Sequence, residues 1–189
     1  MKCLHIITPV KDSIDSTLET VKAIMESDIL VPFTYTVYND FSTEENTHRL
    51  EEAARQWNFR LVNLSDLTDH PSPNYLLVLQ TAQKEAIEAD AGLLIVESDV
   101  IVKKNTLQSL YNGALQQKQC GIAAAVTTDE KGIINYPYLH AKGHENQVYP
   151  EKKHCSFCCS LLTPGLLKAF DFQTLDPVSY THLRADETS

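Results

Sequence analysis

The stretch that decides the fold is Gly92-Leu93-Leu94-Ile95-Val96, which is followed at once by Glu97-Ser98-Asp99. A short run of almost purely apolar residues is typical of a strand covered on both faces, as in a parallel sheet flanked by helices. The abrupt change to acidic and hydroxyl side chains places polar chemistry at the carboxyl end of that strand. We therefore expect an α/β sheet with a binding site beyond the ends of its strands.

The sequence on either side of this strand alternates between strand and helix patterns. Strand patterns occupy 3–8, 33–38, 59–64, 121–126 and 156–163, and helix patterns occupy 13–25, 43–57, 74–89, 106–117 and 164–170. We expect Pro9 to end the first strand, Asp12 or Ser13 to cap the first helix, and Asn74 to cap the third. Because crossover connections are right-handed, the alternation predicts a mainly parallel sheet with helices on both faces, a Rossmann-like three-layer sandwich.

Composition limits the function classes. The chain has 189 residues, 43% hydrophobic and 22% charged, with a net charge of −9. This is the composition of one globular domain, and the negative charge argues against a nucleic-acid partner. No apolar run approaches the ~20 residues of a bilayer span, and the start lacks a signal-peptide pattern, so a cytoplasmic location is expected. Five cysteines are an odd number for a secreted disulfide framework and predict reduced thiols.

The last residues carry no core periodicity. Residues 179–189 read SYTHLRADETS, which resembles the translated read-through of a sequencing adapter. We therefore expect one domain over residues 1–176 and a non-native tail over 177–189. A native disordered terminus is the alternative.

Three polar clusters fall at predicted strand ends. They are Thr8-Pro9-Val10-Lys11-Asp12, Asn39-Asp40-Phe41-Ser42-Thr43, and Glu97-Ser98-Asp99. Any one of them alone is simply the start of a solvated loop in most proteins. Their order along the chain is more informative than any one cluster.

This arrangement resembles the nucleotide-sugar-binding half of inverting family 2 glycosyltransferases, which have the GT-A fold. The first cluster is similar to the family's Thr/Pro motif, the second to its Asp-Asp-Gly-Ser turn, and the third to its Asp-x-Asp motif. Residues 158–167, with Phe170-Asp171 behind them, look like the family's acceptor-side strand and helix. The resemblance covers residues 3 to about 172 and implies a GT-A domain truncated at its C-terminus.

The resemblance implies a donor, an acceptor and a metal. Thr8, Pro9, Val10, Asp40 and Ser98 would bind the nucleotide of a nucleotide diphosphate sugar, with a UDP-sugar as the default and a carbohydrate or lipid-linked acceptor. Asp99, with help from Glu97, would hold Mg²⁺ or Mn²⁺, since such ions take hard oxygen ligands and would offset the diphosphate charge. Three positions depart from the family pattern: Glu97 stands for an Asp, Asn39 for an Asp, and Phe41 for a Gly.

The general base is the largest departure. In the family it lies in an acidic stretch after the Phe-Asp pair, and Asp171 and Asp176 are its only nominal counterparts here. An inverting transfer needs a carboxylate to take the acceptor's proton. We therefore expect a chain that binds the donor and transfers sugar poorly or not at all.

Other features of the sequence suggest different functions. A zinc site at His154, Cys155, Cys158 and Cys159 lacks a second ligand pair, and a dinucleotide-binding domain lacks glycines after the first strand. A nucleotidyltransferase of similar fold and a non-catalytic flavodoxin-like interaction module stay open as alternatives.

Overall fold

The computed structural model describes residues 1–136, 138–144, 147–151 and 155–175. In that part of the chain one sheet of six strands has the order β3-β2-β1-β4-β6-β5. The strands are β1 (Leu4–Val10), β2 (Phe33–Asn39), β3 (Arg60–Asn63), β4 (Gly92–Val96), β5 (Ile122–Ala124) and β6 (Cys159–Leu162). β1 to β4 pair in parallel, and β6 runs antiparallel to both β4 and β5. The predicted tail at 177–189 and His154 lie outside the described residues.

Helices cover both faces of the sheet. They are α1 (Ile14–Met25), α2 (Glu44–Trp57), α3 (Tyr75–Glu88), α4 (Thr106–Gln116) and α5 (Pro164–Ala169). One buried core joins α1, α2 and α4 to one face, and a second joins α3 and α5 to the other. β4 lies between the two cores and is buried along its whole length, which is why its sequence is apolar throughout. The predicted α/β sandwich is confirmed.

The prediction that Pro9 ends the first strand is wrong, because β1 continues to Val10. The backbone carbonyl of Val10 accepts a hydrogen bond from Asp40 N on the β2 side, at 2.8 Å. Successive residues of a strand face opposite neighbours, so the missing N–H of Pro9 is on the β4 side. Pairing with β4 stops at Ile7, so the proline removes no hydrogen bond from the sheet.

The predicted capping side chains do not cap α1 or α3. Ser13 and Asn74 do stand at the N-cap positions of α1 and α3, but neither side chain caps its own helix. Asp12 instead binds the start of α2, where its Oδ1 accepts hydrogen bonds from Thr43 N at 2.7 Å and Asn46 Nδ2 at 3.2 Å. These contacts, the Thr43 N–H first, lower the pKa of the Asp12 carboxyl below its usual value.

The predicted strand over 121–126 is shorter and less buried than expected. β5 has three residues and each is only half-buried. The reason is its place at the edge of the sheet, where one side has no neighbouring strand among the described residues. Beyond it, residues 129–132 form a turn, with Gly132 at φ +79° and a bridge between Thr128 and Ile134.

A polar cluster around the buried His5 lies under α3, near the amino ends of the strands. The ring of His5 is 6% exposed, and its Nδ1 lies 2.8 Å from Thr34 Oγ1. Its Nε2 is 3.3 Å from the carboxylate of Glu85, which also pairs with Arg60. Burial lowers the pKa of the His5 imidazole and outweighs the opposing effect of Glu85. The cluster lies at the end of the sheet opposite to the three predicted site motifs.

The chain order places a reversal between β1 and β4. From β1 the chain adds β2 and β3 on one side, and then crosses back to add β4 on the other. A crevice at such a switch point, beyond the carboxyl ends of the strands, is the usual ligand site in open α/β sheets. None of the helices in the described part of the chain combines the length and apolar character that a membrane span requires.

Candidate functional site

The three predicted motifs meet at the carboxyl ends of neighbouring strands. Val10 at the end of β1 pairs with Asn39 of β2, and Ile7 pairs with Ile95 of β4. Continuing that register brings Glu97 beside Pro9, which in turn pairs with Tyr38. Neighbouring strands lie about 4.8 Å apart, so the three motifs occupy one strip across β2, β1 and β4. The sequence prediction of a shared strand-end site is consistent with this placement.

Asp40 lies at the centre of a hydrogen-bond network on the α3 side of the sheet. It is 8% exposed. Its Oδ2 accepts from Ser72 Oγ at 2.7 Å and Asn74 N at 2.8 Å, and its Oδ1 accepts from Asn74 Nδ2 at 2.8 Å. A carboxylate has about four acceptor positions, so a further donor can still bind at Oδ1. Asp40 thus fastens the start of α3 to the end of β2.

Glu97 is bound from the same helix. Tyr75, the first residue of α3, donates its hydroxyl proton to Glu97 Oε1 at 3.0 Å. The backbone of Glu97 is fixed as well, since its N–H donates to Cys158 O at 2.9 Å and its carbonyl accepts from Val100 N at 3.1 Å. Two adjacent residues at the start of α3 therefore each contact a carboxylate of the site: Asn74 contacts Asp40, and Tyr75 contacts Glu97.

The third motif forms the turn that follows β4. Ser98 is half-buried and Asp99 is exposed. Glu97, Ser98 and Asp99 offer carboxylate and hydroxyl oxygens without nitrogen or sulfur ligands, which is the donor chemistry that Mg²⁺ and Mn²⁺ prefer. In the described residues no group of three or more His, Cys, Asp and Glu side chains is placed to hold a metal. Two carboxylates fit an ion that completes its shell with phosphate oxygens and water.

The first motif presents mainly its backbone to the crevice. The side chain of Thr8 is fully buried and its Oγ1 accepts a hydrogen bond from Tyr35 OH at 3.0 Å. Burial raises the pKa of that Tyr35 hydroxyl far above its usual value, so it remains a donor. Pro9 is half-buried and Val10 is buried in the core. A nucleotide contact from these residues would therefore come from main-chain atoms and the Pro9 ring.

The loops after β1 and β2 are interlocked. Asp12 and Phe41 both have left-handed backbones, with φ of +59° and +58°. Asp12 N donates to Ser42 Oγ at 2.9 Å, and Lys11 Nζ donates to the carbonyl of Phe41 at 3.3 Å. A bulky residue at positive φ is strained, and here the ring of Phe41 packs against the core on the α3 side. The turn keeps the backbone shape that a glycine would allow, and the exposed Lys11 ammonium lies beside it.

The cysteine cluster is placed by β6. Cys159 is buried in that strand and pairs with Val96, while Cys155 is exposed. Burial raises the pKa of the Cys159 thiol to about 12, which favours an inert packed thiol. His154 lies outside the described residues, so the zinc hypothesis gains no support from the part of the chain that the structure describes.

Asp171 lies away from the strand-end site. Its carboxylate accepts the Gln173 N–H at 2.8 Å and so caps a short 3₁₀ turn. It lines a cleft of about 530 Å³ with Gln83 and Lys84 of α3. Gln83 is eight residues beyond Tyr75, a distance of ~12 Å along a helix. Asp176, the other nominal base, lies outside the described residues.

Sequence reasoning missed Ser72, Asn74 and Tyr75 as parts of this site. The sequence predicts Asn74 only as a helix cap, and it gives Ser72 and Tyr75 no role in the site. A possible signal was the polar run 65–74 directly before a helix, since loops before α3 lie at the same end of the sheet as the motifs.

Comparison with known proteins shows which solved structures share this fold. No family model and no curated protein sequence matches the chain. Glucosyl-3-phosphoglycerate synthase from Mycobacterium tuberculosis, solved with UDP, is similar with a TM-score of 0.53 and 14% identity over 87% of this chain and 57% of that one. The mannosyltransferase PcManGT from Pyrobaculum calidifontis, solved with GDP-Man and Mn²⁺, is similar with a TM-score of 0.51 and 16% identity, over 67% of this chain and 36% of that one. S. aureus TarS 1–349 is similar with a TM-score of 0.49 and 21% identity, over 65% of this chain and 34% of that one.

These likenesses concern the fold, and they are partial. The chain spans about a third of the length of TarS 1–349 and of the mannosyltransferase. The order 3-2-1-4-6-5, with its antiparallel β6, also differs from the 2-1-3-4-5 order of flavodoxin-like proteins. The predicted fold class is confirmed: this chain has a GT-A, Rossmann-like α/β fold, shared with solved nucleotide-sugar glycosyltransferases.

Proposed function

We propose that this chain is the donor-binding part of a metal-assisted, inverting glycosyltransferase that takes a nucleotide diphosphate sugar. One observation carries the proposal. Asp40, Pro9 and Glu97 lie in one strip across three neighbouring strand ends at the switch point of the sheet. Two solved proteins of the same fold hold UDP, and GDP-Man with Mn²⁺, respectively.

The nucleoside would lie over the ends of β1 and β2. The carboxylate of Asp40 has an acceptor position for an N–H of the base or a hydroxyl of the ribose, and three hydrogen bonds hold it in place. The backbone at Thr8, Pro9 and Val10 would form the edge beside it. Ser98, half-buried after β4, would contact the same nucleotide from the other side. A UDP-sugar is the default donor, and the acceptor would be a carbohydrate or a lipid-linked acceptor.

The diphosphate needs positive charge in a chain of net charge −9. Asp99 and Glu97 would hold Mg²⁺ or Mn²⁺, which when bound supplies a Lewis acid that stabilises the leaving diphosphate. Lys11 supplies a cation at this edge, and its ammonium donates to the Phe41 carbonyl. In this proposal the donor would be bound through the carboxylates of Asp40, Glu97 and Asp99 and through one lysine.

Of the two nominal general bases, Asp171 lies in the described part of the chain and Asp176 does not. Asp171 caps a 3₁₀ turn beside the middle of α3, well away from the strand ends. A general base must be within hydrogen-bond reach of the proton it takes, directly or through one water. We therefore propose that the chain binds its donor and does not transfer the sugar. The boundary at residue 176 and the non-native tail remain predictions.

A thermal-shift titration tests donor binding. The full chain is melted with UDP, GDP, dTDP and CMP, each with and without Mn²⁺, beside Asp99→Asn and the exposed control Asp66→Asn. A ligand at 100 times its Kd stabilises the fold by ~2.7 kcal/mol, which raises the Tm of a chain this size by ~5–10 °C. We expect one nucleotide to give a small shift without Mn²⁺ and a larger shift with it. Asp99→Asn should remove the Mn²⁺-dependent part of the shift, and Asp66→Asn should keep it.

Two results would contradict the proposal in different ways. A cooperative melt that no nucleotide moves would remove the donor site. Release of labelled sugar to an acceptor by the purified chain, above a no-protein control, would show that a general base is present after all.

A further inference from the structure

Tyr75 occupies an unusual place in the site. It is the first residue of α3 and is 8% exposed, with its ring in the buried core that also contains Ile7, Leu79 and Ile95. Only its hydroxyl reaches the polar strip, where it donates to Glu97 Oε1 at 3.0 Å. A ring packed on all sides has few alternative rotamers, so this donor is held in a fixed position.

The residue before it fixes the helix start itself. Asn74 donates two hydrogen bonds to Asp40, one from its backbone N–H and one from its side chain, both at 2.8 Å. The first turn of α3 is therefore attached to the ends of β2 and β4 at the same time. A rigid helix end that contacts both carboxylates sets their separation across β1.

The length of Glu97 is what allows the second contact. The family pattern described above has an aspartate here, and a glutamate is longer by one methylene. The longer side chain reaches across to the Tyr75 hydroxyl. That contact restricts a carboxylate that would otherwise sample several rotamers on a half-buried turn.

We propose that Tyr75 is a positioning residue for the metal-binding carboxylate of Glu97. The inference rests on the proposed function and adds a residue to it. The Tyr75 hydroxyl holds one oxygen of Glu97. This contact would fix the orientation of a carboxylate that, with Asp99, would hold the metal ion. Hydrogen-bond partners of metal ligands contribute about 10- to 100-fold to metal affinity when they fix a ligand's orientation.

The experiment measures Mn²⁺ affinity rather than turnover. Mn²⁺ is titrated into the full chain with the tightest-binding nucleotide at saturation, and free Mn²⁺ is followed by electron paramagnetic resonance. The variants are Tyr75→Phe, Glu97→Gln and the double variant. Tyr111→Phe is the matched control, because it also loses a half-buried tyrosine hydroxyl, one that donates to the Met1 carbonyl at 3.2 Å.

We expect Tyr75→Phe to weaken Mn²⁺ binding by about tenfold or more and to leave the metal-free nucleotide affinity unchanged. Tyr111→Phe should bind Mn²⁺ like the wild type. In the Glu97→Gln background the Tyr75→Phe change should have no further effect, because the carboxylate it positions is gone.

The outcomes separate the two proposals. Wild-type Mn²⁺ affinity in a folded Tyr75→Phe variant would overturn the role of Tyr75, and so would an equal loss in the Glu97→Gln background. A parallel loss of metal-free nucleotide affinity would show that the hydroxyl only maintains the fold. If the wild type itself binds no nucleotide in any condition, the proposed function fails first.

Discussion

Replacing Asp40 with asparagine tests how strongly this carboxylate holds the start of α3. The change keeps the shape of the side chain but replaces one acceptor oxygen with an NH₂ group. Asp40 accepts three hydrogen bonds, two of them from Asn74, and all at 2.7–2.8 Å. In the variant one buried N–H of Asn74 faces another donor, and the remaining bonds lose their charge assistance.

The magnitude follows from these contacts. An unsatisfied buried donor costs about 1–3 kcal/mol, and weakening the other bonds adds about 1 kcal/mol. We expect a loss of ~3 kcal/mol in the free energy of unfolding, a large share of the ~5–15 kcal/mol that stabilises a typical domain. For a chain of this size that corresponds to a fall of ~6–12 °C in Tm.

Urea unfolding of the full chain without nucleotide, followed by circular dichroism, measures this loss. The control is Asp66→Asn, an exposed aspartate in the loop that precedes α3, and it should unfold like the wild type. Asp40→Asn with wild-type stability would refute the reasoning, because the network would then contribute nothing to the fold. A nucleotide effect without a stability effect would assign Asp40 to ligand binding alone.

Three further predictions concern stability. Because burial lowers the pKa of His5, the unfolded state takes up a proton first as the pH falls below about 6.5, so the free energy of unfolding should decline there. Urea melts at pH 7.5 and 5.5 should show a smaller decline for His5→Gln than for the wild type. Asn58 ends α2 at φ +55°, so Asn58→Ala should cost ~1–2 kcal/mol and Asn58→Gly nearly nothing, and equal melts for the two would contradict the strain argument. A Cβ on Gly92 would collide with Met1 and with Leu161 Cδ1 at 2.8 Å, so Gly92→Ala should lower the free energy of unfolding by ~1–3 kcal/mol. Gly113 lies inside α4, where the nearest contact of an added Cβ is at 3.9 Å, so Gly113→Ala should raise that free energy by ~0.5–1 kcal/mol. The reverse order in calorimetry would show that the core near Gly92 adapts.

Much of the fold follows from the sequence, because hydrophobic period and turn residues are local signals. β4 and its boundary at Glu97 were predictable from five apolar residues, and the helix periods predicted α1, α2 and α4 to within a residue or so. The prediction that Pro9 ends β1 was wrong because the effect of a proline depends on which neighbouring strand its missing N–H faces. That neighbour is fixed by sheet order, which a local pattern does not contain.

The candidate site divides in the same way. The sequence alone determined where the three motifs fall: at the last residues of β1 (Thr8 to Val10) and directly after β2 and β4 (Asp40, and Glu97 to Asp99). Only the tertiary structure decided that Thr8 is buried under Tyr35, that Asp40 is bound by Asn74, and that Glu97 is bound by Tyr75. These partners are 22 to 34 residues apart in the chain. They meet because the crossover connections return each helix to the same sheet, and that is a property of the packed fold rather than of any local stretch of sequence.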